Sequence, residues 1–379
     1  MKCRTIAVMS IAMAVLLLCS FPTVTAAQSD AARALYVTSA TVPTKVAGVN
    51  TYLAAPAGFN PLEASDEALA TYGFPPRPAT ADPRYKLWAR AMGAAKYRKN
   101  EGKVMPISST ELKPAKQPEG ASAITGVPTL FNSFNWSGVA VTNSITKWSK
   151  AGSFGFVISI SNVPVAQPPF NACTNGVAGP FYEVSWNGID GAFGKQGDVV
   201  QGGSLSYSDC GGPVDNFYCG WVEWFPSYPV ICEFLVNPGD DIFVESFDTT
   251  GGFNPANVFV EDLTTNVFTT VSLTYKSGPP ELGDSAEWIV ERPCCVGPNS
   301  YPLNNYVEDF FVDSFAENAA STKLFYPGST TTTTQLISMV DDGDTQFISL
   351  VNAGTSGFQG RYSLWFEAVG CALNGGCVP

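Results

Sequence analysis

The chain has 379 residues, 45% hydrophobic and only 14% charged, a balance that excludes intrinsic disorder and allows one large or two modest domains. It contains no histidine, which excludes Ser-His-Asp and Cys-His catalysis and every histidine-ligated metal site. The net charge of −12 is uneven: residues 1–125 carry 14 basic and 8 acidic side chains, residues 126–379 carry 7 and 25. So acidic a body argues against nucleic acid as a partner, and it gathers little positive self-repulsion when acid neutralises its carboxylates.

In chain order, residues 1–26 read as a signal peptide. Lys2 and Arg4 precede an apolar run from Ile6 to Leu18, and Val24-Thr25-Ala26 offers a cleavage site. Secretion to the extracellular space is expected. No later stretch is long and apolar enough to span a membrane. Residues 27–125 form a basic segment. A helix is predicted from Ser65 to Tyr72, with Ser65 as N-cap and Gly73 just past its end. A second is predicted from Pro83 to Tyr97, with Asp82 as N-cap and Pro83 at its first position. Lys113-Pro114-Ala115-Lys116-Gln117-Pro118-Glu119-Gly120 reads as an exposed, cleavable linker. A basic segment ahead of an acidic secreted body reads as an inhibitory propeptide. It is expected to bind through opposite charge and to let go in acid.

Residues 126–379 read as strand after strand. The predicted strands are Trp136–Thr142, Ser153–Ser161, Tyr182–Trp186, Val199–Ser206, Trp221–Phe225, Asp241–Phe247, Val258–Leu263, Phe268–Tyr275, Ala286–Glu291, Tyr306–Phe315, Gln335–Val340, Gln346–Val351 and Tyr362–Val369. Without a long helical period or βαβ alternation, this is an all-β pattern: a two-sheet antiparallel β-sandwich behind a partly helical propeptide. A monomer is expected. Eight cysteines follow the signal, an even number that favours disulfides. Cys371 and Cys377 are placed to close a short C-terminal loop. Adjacent Cys294 and Cys295 are expected to take different partners, and the pairing of the others stays open. Without histidine or a CxxC pair, neither a metal nor a cofactor is expected.

The chemistry gathers around the stretch from Ser285 to Pro293. On a strand, Glu287, Ile289 and Glu291 share one face, and Ala286, Trp288 and Val290 the other. With no histidine, carboxylates are the obvious acid–base groups. Three further stretches stand out: Asn135-Trp136-Ser137-Gly138; Trp186-Asn187-Gly188-Ile189-Asp190-Gly191 leading to Val200-Gln201; and Trp221-Val222-Glu223-Trp224-Phe225-Pro226. Trp221 and Glu223 share a strand face. Aromatic rings, a glutamine and carboxylates suit a groove for an extended polymer, peptide or sugar.

Taken in order, and with Glu261-Asp262-Leu263-Thr264-Thr265, these pieces resemble the glutamic peptidases, or eqolisins, over roughly Phe131 to Pro293. The resemblance implies a concanavalin-like sandwich and a secreted proenzyme that cleaves proteins or peptides in acid. It places the catalytic pair on Gln201 and Glu291, rather than Glu287, and the cleft on Trp136, Trp186 and Glu223, with Asp190 near it. Trp221, on the strand face of Glu223, and Glu287, in support, are expected to line it too. Glu291 would then act as general base on the attacking water and return the proton to the leaving nitrogen. Gln201 would donate to the oxyanion without needing to ionise. The match has departures: Gly202-Gly203-Ser204-Leu205 follows Gln201 where the family often has an aspartate, and Cys219 stands where another often precedes Trp221. Two other classes fit the residues alone. One is a lectin-like carbohydrate-binding module, the other a glycoside hydrolase using two carboxylates such as Glu223 and Glu291.

Overall fold

The computed structural model describes residues 23–367, apart from 83, 95, 98–102, 105–128, 144, 178, 193–197, 249–253, 277–281, 294–300, 307, 321–322, 328–333, 342–346 and 356–361. The front segment supplies α1 (Thr23–Thr38), β1 (Thr41–Pro43), β2 (Val49–Tyr52), α2 (Asp66–Thr71), α3 (Arg84–Ala94), β3 (Lys96–Tyr97) and β4 (Lys103–Val104). The body begins with β5 (Thr129–Ser133), β6 (Trp136–Thr142), β7 (Phe154–Asn162), β8 (Phe181–Ile189), β9 (Val199–Ser208), β10 (Phe217–Phe225) and β11 (Ile231–Leu235). It continues with β12 (Asp241–Asp248), β13 (Ala256–Asp262), β14 (Val267–Leu273), β15 (Ser285–Glu291), β16 (Glu308–Asn318), β17 (Leu324–Phe325), β18 (Thr334–Val340), β19 (Phe347–Thr355) and β20 (Tyr362–Glu367).

These strands form two sheets. Sheet A runs β1-β2-β14-β13-β12-β7-β16-β20-β19, every pair antiparallel. Sheet B runs β4-β11-β10-β9-β8-β15-β6-β18-β5, antiparallel except for the parallel β18–β5 pair. At one edge β19 also pairs with β18 and ties the sheets together. The core between the sheets holds Val139, Val141, Val157, Val200, Val222, Trp224, Val244, Val258, Val260, Trp288 and Val290. The all-β sandwich expected from the strand pattern is therefore the fold. Alternation sends Ala286, Trp288 and Val290 into this core and leaves Glu287, Ile289 and Glu291 on the far face of sheet B.

The outer face of sheet A is also apolar. Phe156, Ile158, Ile160, Phe243, Phe247, Phe259, Phe268 and Phe315 form one cluster with Tyr36, Tyr52, Leu69, Phe74, Leu87, Trp88 and Met92 of the front segment. The sandwich thus carries a third, partly helical layer. In α2, Ser65 Oγ accepts from the Ala68 N–H at 3.2 Å, and Gly73 just beyond has φ of 73°, as its capping pattern predicts. In α3, Asp82 Oδ1 caps the Arg84 N–H at 2.9 Å. That helix stops at Ala94 rather than Tyr97, because Lys96 and Tyr97 pair in parallel with Val267 and Phe268 on the edge of sheet A. No helix among the described residues is long and apolar enough to cross a membrane.

Disulfides join Cys173 to Cys210 and Cys219 to Cys232. The second ties β10 to its neighbour β11, a strand that the sequence pattern does not single out. Cys294, Cys295, Cys371 and Cys377 lie outside the described residues.

Candidate active site

The outer face of sheet B is built in rows, because directly paired residues point the same way. One row reads Gln335, Ala140, Glu287, Gly188, Gln201, Glu223 across β18, β6, β15, β8, β9 and β10. The next reads Ile337, Gly138, Ile289, Trp186, Gly203, Trp221. The third includes Trp136, Glu291, Val184, Leu205 and Cys219. Every expected cleft residue except Asp190 therefore falls in one of three adjacent rows.

Two glycines let the indoles pack here. A Cβ at Gly203 would stand 1.8 Å from the Ser185 carbonyl oxygen, and one at Gly138 would stand 2.1 Å from that of Trp288. Only a residue without Cβ lets the neighbouring backbones approach this closely. Trp136 meets Trp186 edge-on, with ring centroids 4.8 Å apart.

Glu291 is the best supported carboxyl group on this face. Trp186 Nε1 donates to its Oε2 at 2.8 Å and Asn135 Nδ2 to its Oε1 at 3.2 Å. The Trp136 indole leans toward the same group without completing a hydrogen bond. Burial pushes Glu291 up to about 8, and these donors pull against that shift. Asn135 is itself set by Ser133 Oγ, 3.2 Å from its Oδ1, in the bend between β5 and β6. It lies in a stretch that the sequence marks, yet its side-chain role was legible only once β6 and β15 were brought together.

Gln201 is fully buried, and its Nε2 donates to Glu223 Oε2 at 2.7 Å. The pairing follows from direct cross-strand register between β9 and β10. Burial holds Glu223 well above the usual carboxylate range, and the nearby charge of Glu291 adds to the rise. So Gln201, Glu223 and Glu291 form one electrostatic group, bounded by Trp136, Trp186 and Trp221. Glu287 is also buried and raised, first by burial and further by Asp190 and Asp284. No indole or carboxamide N–H reaches its oxygens. This is the physical difference between the two acids of β15: Glu291 holds two indole or carboxamide N–H donors at hydrogen-bond distance, whereas Glu287 is eased only weakly by Ser285 and the Ala192 N–H.

Asp190 has another job. At φ of 66°, just past β8, its carboxylate accepts from the backbone N–H groups of Leu282, Gly283 and Asp284 at 2.6, 3.0 and 2.6 Å. It anchors the loop that leads into β15. Cys219, where an aspartate was looked for, is in its disulfide, and Asp198 accepts from Trp224 Nε1 at 3.2 Å on the core side of β10.

A β-sandwich presenting a buried carboxamide and two carboxyl groups beneath three indoles defines a protein built for acid–base chemistry without histidine. The chain belongs to the peptidase A4 family, the glutamic peptidases, whose model matches residues 134–359. It is a glutamic endopeptidase, with protein or peptide substrates. The match continues past Pro293, where the sequence resemblance stopped, because β16, β18 and β19 complete the sheets. Among solved structures, scytalido-glutamic peptidase with a transition state analog inhibitor aligns at 20% identity and a TM-score of 0.46, covering 62% of this chain and 98% of that one. SCP-B, an eqolisin in complex with a tripeptide, aligns at 19% and 0.46 with the same coverage. Aspergilloglutamic peptidase from Aspergillus niger aligns at 22% and 0.40, covering 50% and 99%. A search of the curated proteins finds no match.

Proposed function

We propose that this protein is a secreted acid endopeptidase in which Glu291 moves the proton and Gln201 holds the oxyanion. The observation that carries the reading is the pair of N–H donors, from Trp186 and Asn135, that converge on Glu291 beside the Gln201–Glu223 pair. Buried beneath the indoles, Glu291 keeps its proton in acid, since burial is the first cause of its raised value. Water and a bound peptide solvate the carboxyl group and remove that cause, leaving the donors to favour the carboxylate. Glu291 then takes a proton from the attacking water as the oxygen adds to the scissile carbonyl, and passes it to the leaving nitrogen. Glu223 fixes the Gln201 amide plane, and the remaining amide N–H is the donor offered to the developing oxyanion.

In the same reading residues 1–26 direct secretion and leave, and the precursor is latent until the linker at 113–120 is cut. The working enzyme acts as a monomer at about pH 2–5. A sandwich face lined with indoles also suits a sugar, but the two N–H donors on Glu291 favour stabilising a carboxylate over keeping a general acid protonated. Casein hydrolysis by linker-cut protein, with and without Gln201→Ala, tests the proposal. The substitution is expected to cut kcat by about 10²–10³ with unchanged circular dichroism. Full activity in Gln201→Ala overturns the assignment.

A further inference from the structure

We propose that the front segment from Arg33 to Ala94 is a permanent third layer of the enzyme, staying bound to the body after the chain between them is cut. Charge complementarity predicts a segment that leaves in acid; the contacts are of another kind. Six phenylalanines and two isoleucines of sheet A, none more than 7% exposed, lie beneath it. Buried aromatic side chains each cover about 150–250 Å². Uncovering even a third of that area on six rings opens about 300 Å², already the size of the largest apolar patch on many monomers.

The two parts also share hydrogen bonds that do not depend on net charge. Strand β2 lies along β14, with Val49, Asn50 and Thr51 opposite Leu273, Ser272 and Val271, and so covers an edge of sheet A. Tyr52 Oη donates to Asn257 Oδ1 at 2.5 Å, and Thr270 Oγ1 donates to the Gly73 carbonyl at 2.5 Å. Phe74 packs on Phe268 at 4.8 Å, and Tyr36 meets Phe247 edge-on at 5.6 Å.

The charged groups in this contact are Arg33, Asp82, Arg84, Arg90, Asp241, Glu245 and Glu317. Arg84 reaches Asp82 and Glu317 at 2.7 and 3.2 Å and stacks on the Phe156 ring at 4.2 Å. Arg33 donates to the Ala319 carbonyl at 2.8 Å, and Arg90 meets Asp241 at 3.5 Å on the surface. Neutralising the carboxylates removes ion pairs from these arginines but leaves the apolar face and the strand pairing intact. The layer lies on sheet A, on the far side of the sandwich from Gln201 and Glu291, so in the proposed reading latency depends on the uncut linker and not on this layer.

The test uses full-length protein with a specific protease site in place of the linker residues 113–118. After cutting, gel filtration at about pH 4 and about pH 7 is expected to give one 1:1 complex, with no gain in hydrophobic-dye fluorescence over uncut protein. Release of the segment at either pH overturns the proposal, whether the body then stays soluble or aggregates. The readout needs no turnover, and the Gln201→Ala protein is expected to give the same profile, so failure here and failure of the catalytic assignment are separately visible.

Discussion

Raising the pH from about 4 to about 8 is expected to destabilise this protein, and the buried carboxyl groups set the size of the effect. Glu245 lies between Phe243 and Phe247 under the third layer. Burial raises it from 4.5 to about 7, even though Arg84 and Arg33 pull it down. Burial raises Glu291 to about 8. Below their ordinary value both groups are protonated in the folded and unfolded chain, and stability is at its fullest. Above it the unfolded chain sheds protons that the fold retains, so stability falls until the folded values are passed. At about 1.4 kcal/mol per pH unit, Glu245 removes about 3 kcal/mol and Glu291 about 5 kcal/mol. Glu183, raised by burial to about 7, acts in the same direction. Against a typical net stability of about 5–15 kcal/mol, such losses are large enough to measure. Urea midpoints measured by circular dichroism between about pH 4 and 8 should fall steadily. Glu245→Gln keeps a neutral side chain and should flatten the fall by about 3 kcal/mol. Midpoints that hold or rise with pH, or an unchanged slope in Glu245→Gln, would refute the reasoning.

Two substitutions probe the face of sheet B. Trp186→Phe removes one donor from Glu291 and is expected to move the acid limb of kcat/KM up by about one to two pH units; an active variant whose limb stays put would show that the indole does not tune this acid. Asp190→Ala strands three backbone N–H groups at the entrance to β15 and should cost about 3 kcal/mol or more of stability, read as a lower Tm, with KM little changed. A raised KM at an unchanged Tm would instead make Asp190 a substrate contact.

Much of this was legible in the sequence for one reason: strand alternation is a rigid code. Trp136–Thr142 has the predicted bounds, and Glu287, Ile289 and Glu291 share the predicted face. What alternation does not encode is which strands become neighbours. The Gln201–Glu223 contact needs the β9–β10 register, and the Asn135 contact needs β15 beside β6. Strand β5 pairs in parallel with a strand about two hundred residues away in sequence, and no local signal announces that. Net charge pointed to an electrostatic contact for the front segment, and Arg84–Glu317 and Arg90–Asp241 supply one, but summing charges misses the apolar face because it ignores which residues face inward. Strand β7 held the clue: Phe156, Ile158 and Ile160 alternate with Val157 and two serines, so one strand offers apolar side chains to both faces and must be covered twice.

The hydrogen bond from Asn135 to Glu291 has a consequence for how the protein can be made. Asn135-Trp136-Ser137 is an acceptor sequence for N-linked glycans, yet Asn135 is 1% exposed and its amide nitrogen is the donor. Glycosyl transfer would take that nitrogen while the strand is still extended and leave a sugar where the sheet must close. A cell with that transferase in its secretory route would therefore produce this chain as damaged protein. A bacterial periplasm, which also supports the two disulfides, or a Ser137→Ala chain that erases the acceptor at a buried hydroxyl without a hydrogen-bond partner, avoids the lesion.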